Sequence, residues 1–130
     1  GGTPSALNSD QLTTLFEILK DYSHQVKEYT MEVNPESLMV EKAQLMVKYG
    51  INRVSFGVQS FNQDELVFMH RAHTIQMIRD GIKILRDAGI NNISIDLIYA
   101  LPKQIICHSY LLILYFHYSN TSSRVTHSFM

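Results

Sequence analysis

Hydrophobic and polar positions along this chain switch repeatedly between a helical period and a period of two. Residues 8–20 carry Leu12, Leu15, Phe16 and Leu19 at the spacing of one helix face. Asn8 and Gln11 stand three apart, as in a capping box. Residues 29–33 alternate and predict a strand. Asn34-Pro35 then opens a second helix, since proline is tolerated in a first turn. Leu38, Leu45, Met46 and Tyr49 form its buried stripe, and Gly50 stops it. A strand over 53–59 follows, then a short helix over about 62–69 with Asn62 and Glu65 as a second capping box. Thr74 caps a longer helix carrying Ile78, Ile82, Leu85 and Ala88, closed by Gly89, and a strand over 92–98 comes next.

The pattern repeats. Gly50-Ile51-Asn52-Arg53-Val54-Ser55 matches Gly89-Ile90-Asn91-Asn92-Ile93-Ser94 at an offset of 39 residues. A helix, a glycine stop and a strand recur, which predicts an α/β fold of βα units around a parallel sheet, open or curved into a barrel. The pattern ends at Gln104. Residues 105–118 are aromatic and aliphatic without either period, and 119–130 are polar and rich in Ser and Thr. The expected organisation is one domain over 1–104 and an unrelated tail over 105–130, frameshifted or disordered, to which no element is assigned.

The strand at 53–59 has the wrong pattern for a core. Strands covered on both faces read as nearly continuous apolar runs. Here Val54, Phe56 and Val58 form one phase, and Arg53, Ser55, Gly57 and Gln59 the other. The neighbouring strands behave alike: Thr30, Glu32 and Asn34 form one polar phase, Ser94 and Asp96 the other. Period two therefore puts Glu32, Gln59 and Asp96 on one side of one sheet, at or near the carboxyl ends of its strands. Ligands of parallel βα sheets bind there. A carboxylate can accept from an amine or a ribose hydroxyl, and Gln59 can donate and accept. The plainer alternative is three polar groups bonded to one another or to loop backbone, and the pattern alone leaves both open.

Composition narrows the classes. The 130 residues are 45% hydrophobic, enough for a core, and the net charge is -1, so nothing points to nucleic acid or an acidic membrane surface. The longest apolar tract, 105–116, is shorter than the roughly 20 residues of a membrane span. The single Cys107 excludes an internal disulfide framework, fits a reducing, cytoplasmic setting, and reads as a small packed hydrophobe. No secretory signal is visible, and a start at Gly1-Gly2-Thr3-Pro4-Ser5 suggests that the chain begins inside a larger protein. Those glycines suit a tight turn or a close approach of backbone to ligand. His70 and His73 have no partner at a metal spacing, so no metal site is assigned. By spacing alone, Arg71 is a solvated loop residue. There is no Walker loop, nucleophile elbow or dinucleotide fingerprint.

Five segments in order, GGTPS, EVNP, RVSFGVQSF, RAHT and NISIDLIYALPKQ, resemble the radical S-adenosylmethionine family of oxygen-independent coproporphyrinogen III oxidase. The resemblance covers residues 1–104, and RAHT with EVNP and GGTPS is most similar to its heme-chaperone branch. It implies part of a TIM-like (βα)6 barrel with S-adenosylmethionine and a [4Fe-4S] cluster at its mouth. It further implies that Gly2 and Thr3 contact the methionine part of the cofactor, as does Glu32, and that Gln59, Arg71 and Asp96 complete the cofactor-binding set. The family's cluster loop, C-x3-C-x2-C, would precede Gly1. Ala100 stands where the family turn has glycine, which strains that turn if φ is positive.

The expected function is thus an incomplete radical S-adenosylmethionine domain of a heme-chaperone-like protein in porphyrin or heme metabolism. Heme is a further expected ligand, and heme-acceptor proteins are expected partners. The alternatives are a true coproporphyrinogen III dehydrogenase, carrying out oxidative decarboxylation of a porphyrinogen, and a truncated product with no function. A loop histidine, His70 or His73, is exposed in this reading.

Overall fold

A computed structural model describes residues 2–23, 25–102 and 104, and the backbone of 124–129. Expectations for Gly1, Cys107 and the tract 105–118 lie outside the described residues. The elements are α1 (Ser9–Ser23), β1 (Thr30–Val33), α2 (Val40–Lys48), β2 (Arg53–Gln59), α3 (Gln63–Phe68), α4 (Ile75–Asp87), β3 (Asn92–Tyr99) and β4 (Arg124–Phe129). Short 3₁₀ turns at Pro4–Ala6 and Pro35–Ser37 precede α1 and α2. The strands lie parallel in the order β1-β2-β3-β4. The sequence pattern assigned no strand to 124–129; its backbone nonetheless extends the sheet beyond β3.

The apolar phases of the strands hold the core. Met31, Val33, Val54, Phe56, Val58, Ile93, Ile95 and Leu97 are buried in one cluster with Leu12 and Phe16 of α1, Ala43 and Met46 of α2, and Ile78, Ile82 and Leu85 of α4. Gly81 lets α4 approach: a Cβ there would lie 2.6 Å from Cζ of Phe56. Helices thus cover the apolar face of the sheet and leave the polar phases on the other.

The internal echo is a structural repeat. Both copies end their helix in a Schellman motif. Gly50 (φ 87°) and Gly89 (φ 104°) take left-handed backbone, Ile51 N–H donates to Met46 O, and Ile90 N–H donates to Leu85 O, each at 2.9 Å. The following residues are cross-strand partners: Arg53 with Asn92, Val54 with Ile93, Ser55 with Ser94. The 39-residue offset is therefore one βα step of the sheet.

Three expectations change. The second helix does not start at Asn34-Pro35. Ser37 Oγ donates back to Asn34 O (3.0 Å), a local bond that competes with helix, and Leu38 and Met39 are extended before α2 begins. Asn8 and Gln11 do form a reciprocal capping box, but Asn62 and Glu65 do not. Asn62 Oδ1 accepts from Asp64 N–H, while the Glu65 carboxylate accepts from Ser60 Oγ and Gln104 Nε2. Finally, His73 is not an exposed loop residue: it is 2% exposed, and both ring nitrogens are engaged.

Candidate functional site

The polar face is built from the carboxyl ends of β1 and β2 outward. Glu32 and Val33 end β1, so Glu32 points away from the core into solvent beside Ser55, its register partner. The turn Pro4–Ala6 returns the chain to this edge. There Thr3 Oγ1 donates to Glu32 Oε1 (3.5 Å) and accepts from Asn34 Nδ2 (3.4 Å). These long bonds bring Thr3, Glu32 and Asn34 into one group that a ligand can reach. Gly2 is exposed, and a Cβ there would meet nothing within 4 Å.

Gly57 makes the notch beside that group. A Cβ on Gly57 would lie 2.6 Å from Asn34 Oδ1 and 3.1 Å from Gln59 Nε2. Real Cβ atoms do not sit 2.6 Å from another heavy atom and seldom 3.1 Å, so glycine is required for the Asn34 amide to pack as it does and eases the approach of Gln59. Gln59 reaches this position by a route that period two did not anticipate. The β2–β3 register shifts between Phe56 and Gln59, where β2 spends three residues against two of β3. Gln59 then takes left-handed backbone (φ 67°), which carries its amide over Gly57. Such strain in a non-glycine residue costs on the order of 1 kcal/mol and clusters at functional sites.

Asp96 sits deeper. It is the fifth residue of β3, not at its end, and accepts from Ser55 Oγ at 2.9 and 2.8 Å. One layer below, Arg53 donates to Ser94 Oγ (2.7 Å) and to Glu28 Oε1 (3.0 Å). The polar phase is thus a continuous column across the sheet, with its reachable end at Thr3, Glu32, Asn34 and Gln59.

Arg71 is placed by its backbone. Helix α3 ends in a Schellman motif with His70 in the glycine position (φ 54°), His70 N–H donating to Val67 O and Arg71 N–H to Leu66 O. Arg71 is half-buried, and its guanidinium forms no hydrogen bond or ion pair among the described residues. No bond links it to the other residues of the site.

The alternation of hydrophobicity missed three residues. Asn34 was in the polar phase but was not selected; it joins Thr3 to the Gly57 notch. Lys42 is buried on α2, donating to Ser5 O and Ser37 O. His73 ties the RAHT loop to the carboxyl end of β2 through Val58 O (3.0 Å) and to the EVNPE turn through Glu36 Oε2 (3.1 Å). Only a lysine inside an otherwise helical stripe hinted at Lys42, and nothing in the spacing marked His73.

The donors and acceptors of Thr3, Glu32, Asn34 and Gln59, exposed or half-buried at the open end, suit the amine and carboxylate of an amino acid. An iron–sulfur cluster is a different matter. Such clusters take cysteine thiolates, and these 130 residues contain one cysteine. Among the described residues, no group of three or more His, Cys, Asp or Glu is arranged to hold a metal ion. No described helix is long and apolar enough to cross a membrane.

The profile of the Radical SAM superfamily matches residues 1–108. The chain is 41% identical over 113 residues to the heme chaperone HemW of Lactococcus lactis subsp. lactis (strain IL1403), a match covering 80% of this chain and 28% of that protein. It is 35% identical over 108 residues to the oxygen-independent coproporphyrinogen III oxidase of Helicobacter pylori (strain J99 / ATCC 700824), covering 80% and 23%. The solved coproporphyrinogen III oxidase (HemN) from Escherichia coli, a radical SAM enzyme, superposes with a TM-score of 0.80 at 29% identity, covering 99% of this chain and 30% of its own. The chain therefore spans less than a third of the length of each of these relatives. A profile match over most of the chain, together with the shared α/β fold, makes this chain a member of the Radical SAM superfamily.

Proposed function

We propose that this chain supplies the cofactor-facing wall of an S-adenosylmethionine site in a protein of heme or porphyrin metabolism, on the heme-chaperone branch. The observation that carries the reading is the Thr3–Glu32–Asn34 group beside the Gly57 notch. Three polar side chains from two loops and a strand converge at the carboxyl edge of a parallel sheet, where glycine is required. In this reading Gly2, Thr3 and Glu32 hold the methionine end of the cofactor. Gln59 and Asp96 present an amide and a carboxylate to the remainder, and Arg71 offers to a carboxylate a guanidinium that is unpaired among the described residues. When bound beside a [4Fe-4S] cluster, the cofactor would supply one-electron cleavage chemistry. The residues here bind and orient it; thiolates for the cluster are not among them.

Heme transfer is favoured over porphyrinogen oxidation by the RAHT segment. His73 is committed to Val58 and Glu36, so a heme ligand from this loop would have to be the exposed His70. The oxidase reading rests on the 35% identity to an oxidase and on the shared fold. A full-length relative carrying this segment separates them. Heme binding followed by absorbance, without loss of the porphyrinogen propionate carboxyls, supports the carrier; decarboxylation of coproporphyrinogen III refutes it. Binding of S-adenosylhomocysteine to this chain tests the cofactor wall itself.

A further inference from the structure

We propose that Lys42 is a positioning residue that clamps the loop over residues 2–5 onto the site. A lysine on an amphipathic helix ordinarily lays its stem along apolar surface and keeps its ammonium in water. Lys42 does the reverse. It is 8% exposed, and its Nζ donates inward to Ser5 O (2.7 Å) and Ser37 O (3.0 Å). Buried charges are tolerated only when hydrogen-bonded, and both partners here are backbone carbonyls from separate turns.

The carbonyls are not isolated. Ser5 is fully buried; its Oγ accepts from Asn34 N–H (3.2 Å) and shares a 2.6 Å hydrogen bond with Ser37 Oγ. Ser37 Oγ also donates to Asn34 O. One ammonium therefore fastens the turn that follows Thr3 to the turn that carries Asn34. Thr3 meets Glu32, and Asn34 joins Thr3 to the Gly57 notch. Lys42 touches no part of the reachable site, yet it sets the distance between the loops that form it. An apolar side chain of the same length would fill the volume and leave both turns free to separate.

The ligand part of this inference rests on the proposed cofactor reading; the clamp itself does not. Two measurements on the full 130-residue chain separate them. In the ligand-free protein, Lys42→Met should speed deuterium exchange over residues 2–8 about tenfold, while Lys42→Arg, which keeps the donors, stays close to wild type. S-adenosylhomocysteine should then bind Lys42→Met about tenfold more weakly. 5′-Methylthioadenosine, which lacks the amino-acid end, should bind both proteins equally. Unchanged exchange over 2–8, or equal losses for the two ligands, overturns the proposal. If the wild type binds neither ligand, the cofactor reading falls and exchange still decides the clamp. Should Lys42→Met not fold, Ser5→Ala removes the serine link of the same network and is expected to give the same faster exchange and ligand split, to a smaller extent.

Discussion

Replacing Gly57 by alanine is expected to harm ligand binding more than it harms the fold. The backbone of Gly57 lies outside the left-handed region, so alanine meets no conformational barrier. The obstacle is contact: its Cβ would sit 2.6 Å from Asn34 Oδ1 and 3.1 Å from Gln59 Nε2. Both are the far ends of flexible side chains and can swing away. Asn34 would then lose its 3.4 Å bond to Thr3, about 0.5–1.5 kcal/mol at most. The shift from its rotamer costs a similar amount. Alanine returns about 0.4–1 kcal/mol by restricting the unfolded chain. The net loss of stability is about 1 kcal/mol. Binding suffers differently, because the amides that must move belong to the site. Losing one well-placed hydrogen bond there, about 1.4 kcal/mol, weakens binding about tenfold. Gly81→Ala is the control. Its Cβ would meet Cζ of the fully buried Phe56 at 2.6 Å, a ring with no room to retreat. Overpacking of about 1–3 kcal/mol, less up to about 1 kcal/mol of helix propensity, should destabilise it by an amount comparable to Gly57→Ala while S-adenosylhomocysteine affinity stays unchanged. Denaturant melts and calorimetric titration of both variants decide the matter. Unchanged affinity in Gly57→Ala, or a loss of affinity equal to that of Gly81→Ala, would refute the reasoning.

Among the described residues, Gln59, His70 and Ala100 take left-handed backbone without being glycine, and glycine should relieve each by about 1 kcal/mol. Ala100→Gly is expected to raise stability in chemical denaturation, whereas Gln59→Gly should hold or raise stability yet weaken S-adenosylhomocysteine; equal behaviour of the two would show that the strain at Gln59 serves no ligand. A third prediction concerns pH. The hydrogen bond from Lys20, then that from Tyr49, holds the Glu17 carboxyl below its ordinary 4.5, and the bond to Glu17 holds the Tyr49 phenol above its ordinary 10.0. A depressed carboxyl contributes stability above its unfolded pKa and loses it as pH falls through the folded one. A raised phenol contributes below its unfolded pKa and loses it as pH rises through the folded one. The α1–α2 tether therefore acts across the neutral range, and the stability difference between wild type and Glu17→Gln should shrink at both extremes. A difference that does not change with pH contradicts this.

The sequence made the scaffold readable because its signals were local. Glycine stops at Gly50 and Gly89, the Asn8–Gln11 box and the Thr74 cap each report on a few neighbouring residues, and each formed as expected. Alternation found the polar face because burial of Met31, Val33, Val54 and Phe56 enforces it. It did not foresee how that face is completed where the ladder breaks. A bulge changes the parity between Phe56 and Gln59, so Gln59 arrives over Gly57 through a positive φ that no periodicity encodes. His70 stops a helix in the place of glycine, and composition gives no sign of that. The roles of Lys42 and His73 were hidden for a further reason. Their partners are carbonyls and a carboxylate 5 to 37 positions away in sequence, brought near only by the fold.

The central claim is that the polar edge formed by Thr3, Glu32, Asn34 and Gln59 is a cofactor surface. The most direct measurement is an amide NMR titration of this chain with S-adenosylhomocysteine. The account predicts saturable shifts at residues 2–5, 32–34 and 57–60, with little change along α1, α2 and α4. Saturable shifts confined to the helical face, or none at any ligand concentration that the protein tolerates, would contradict it.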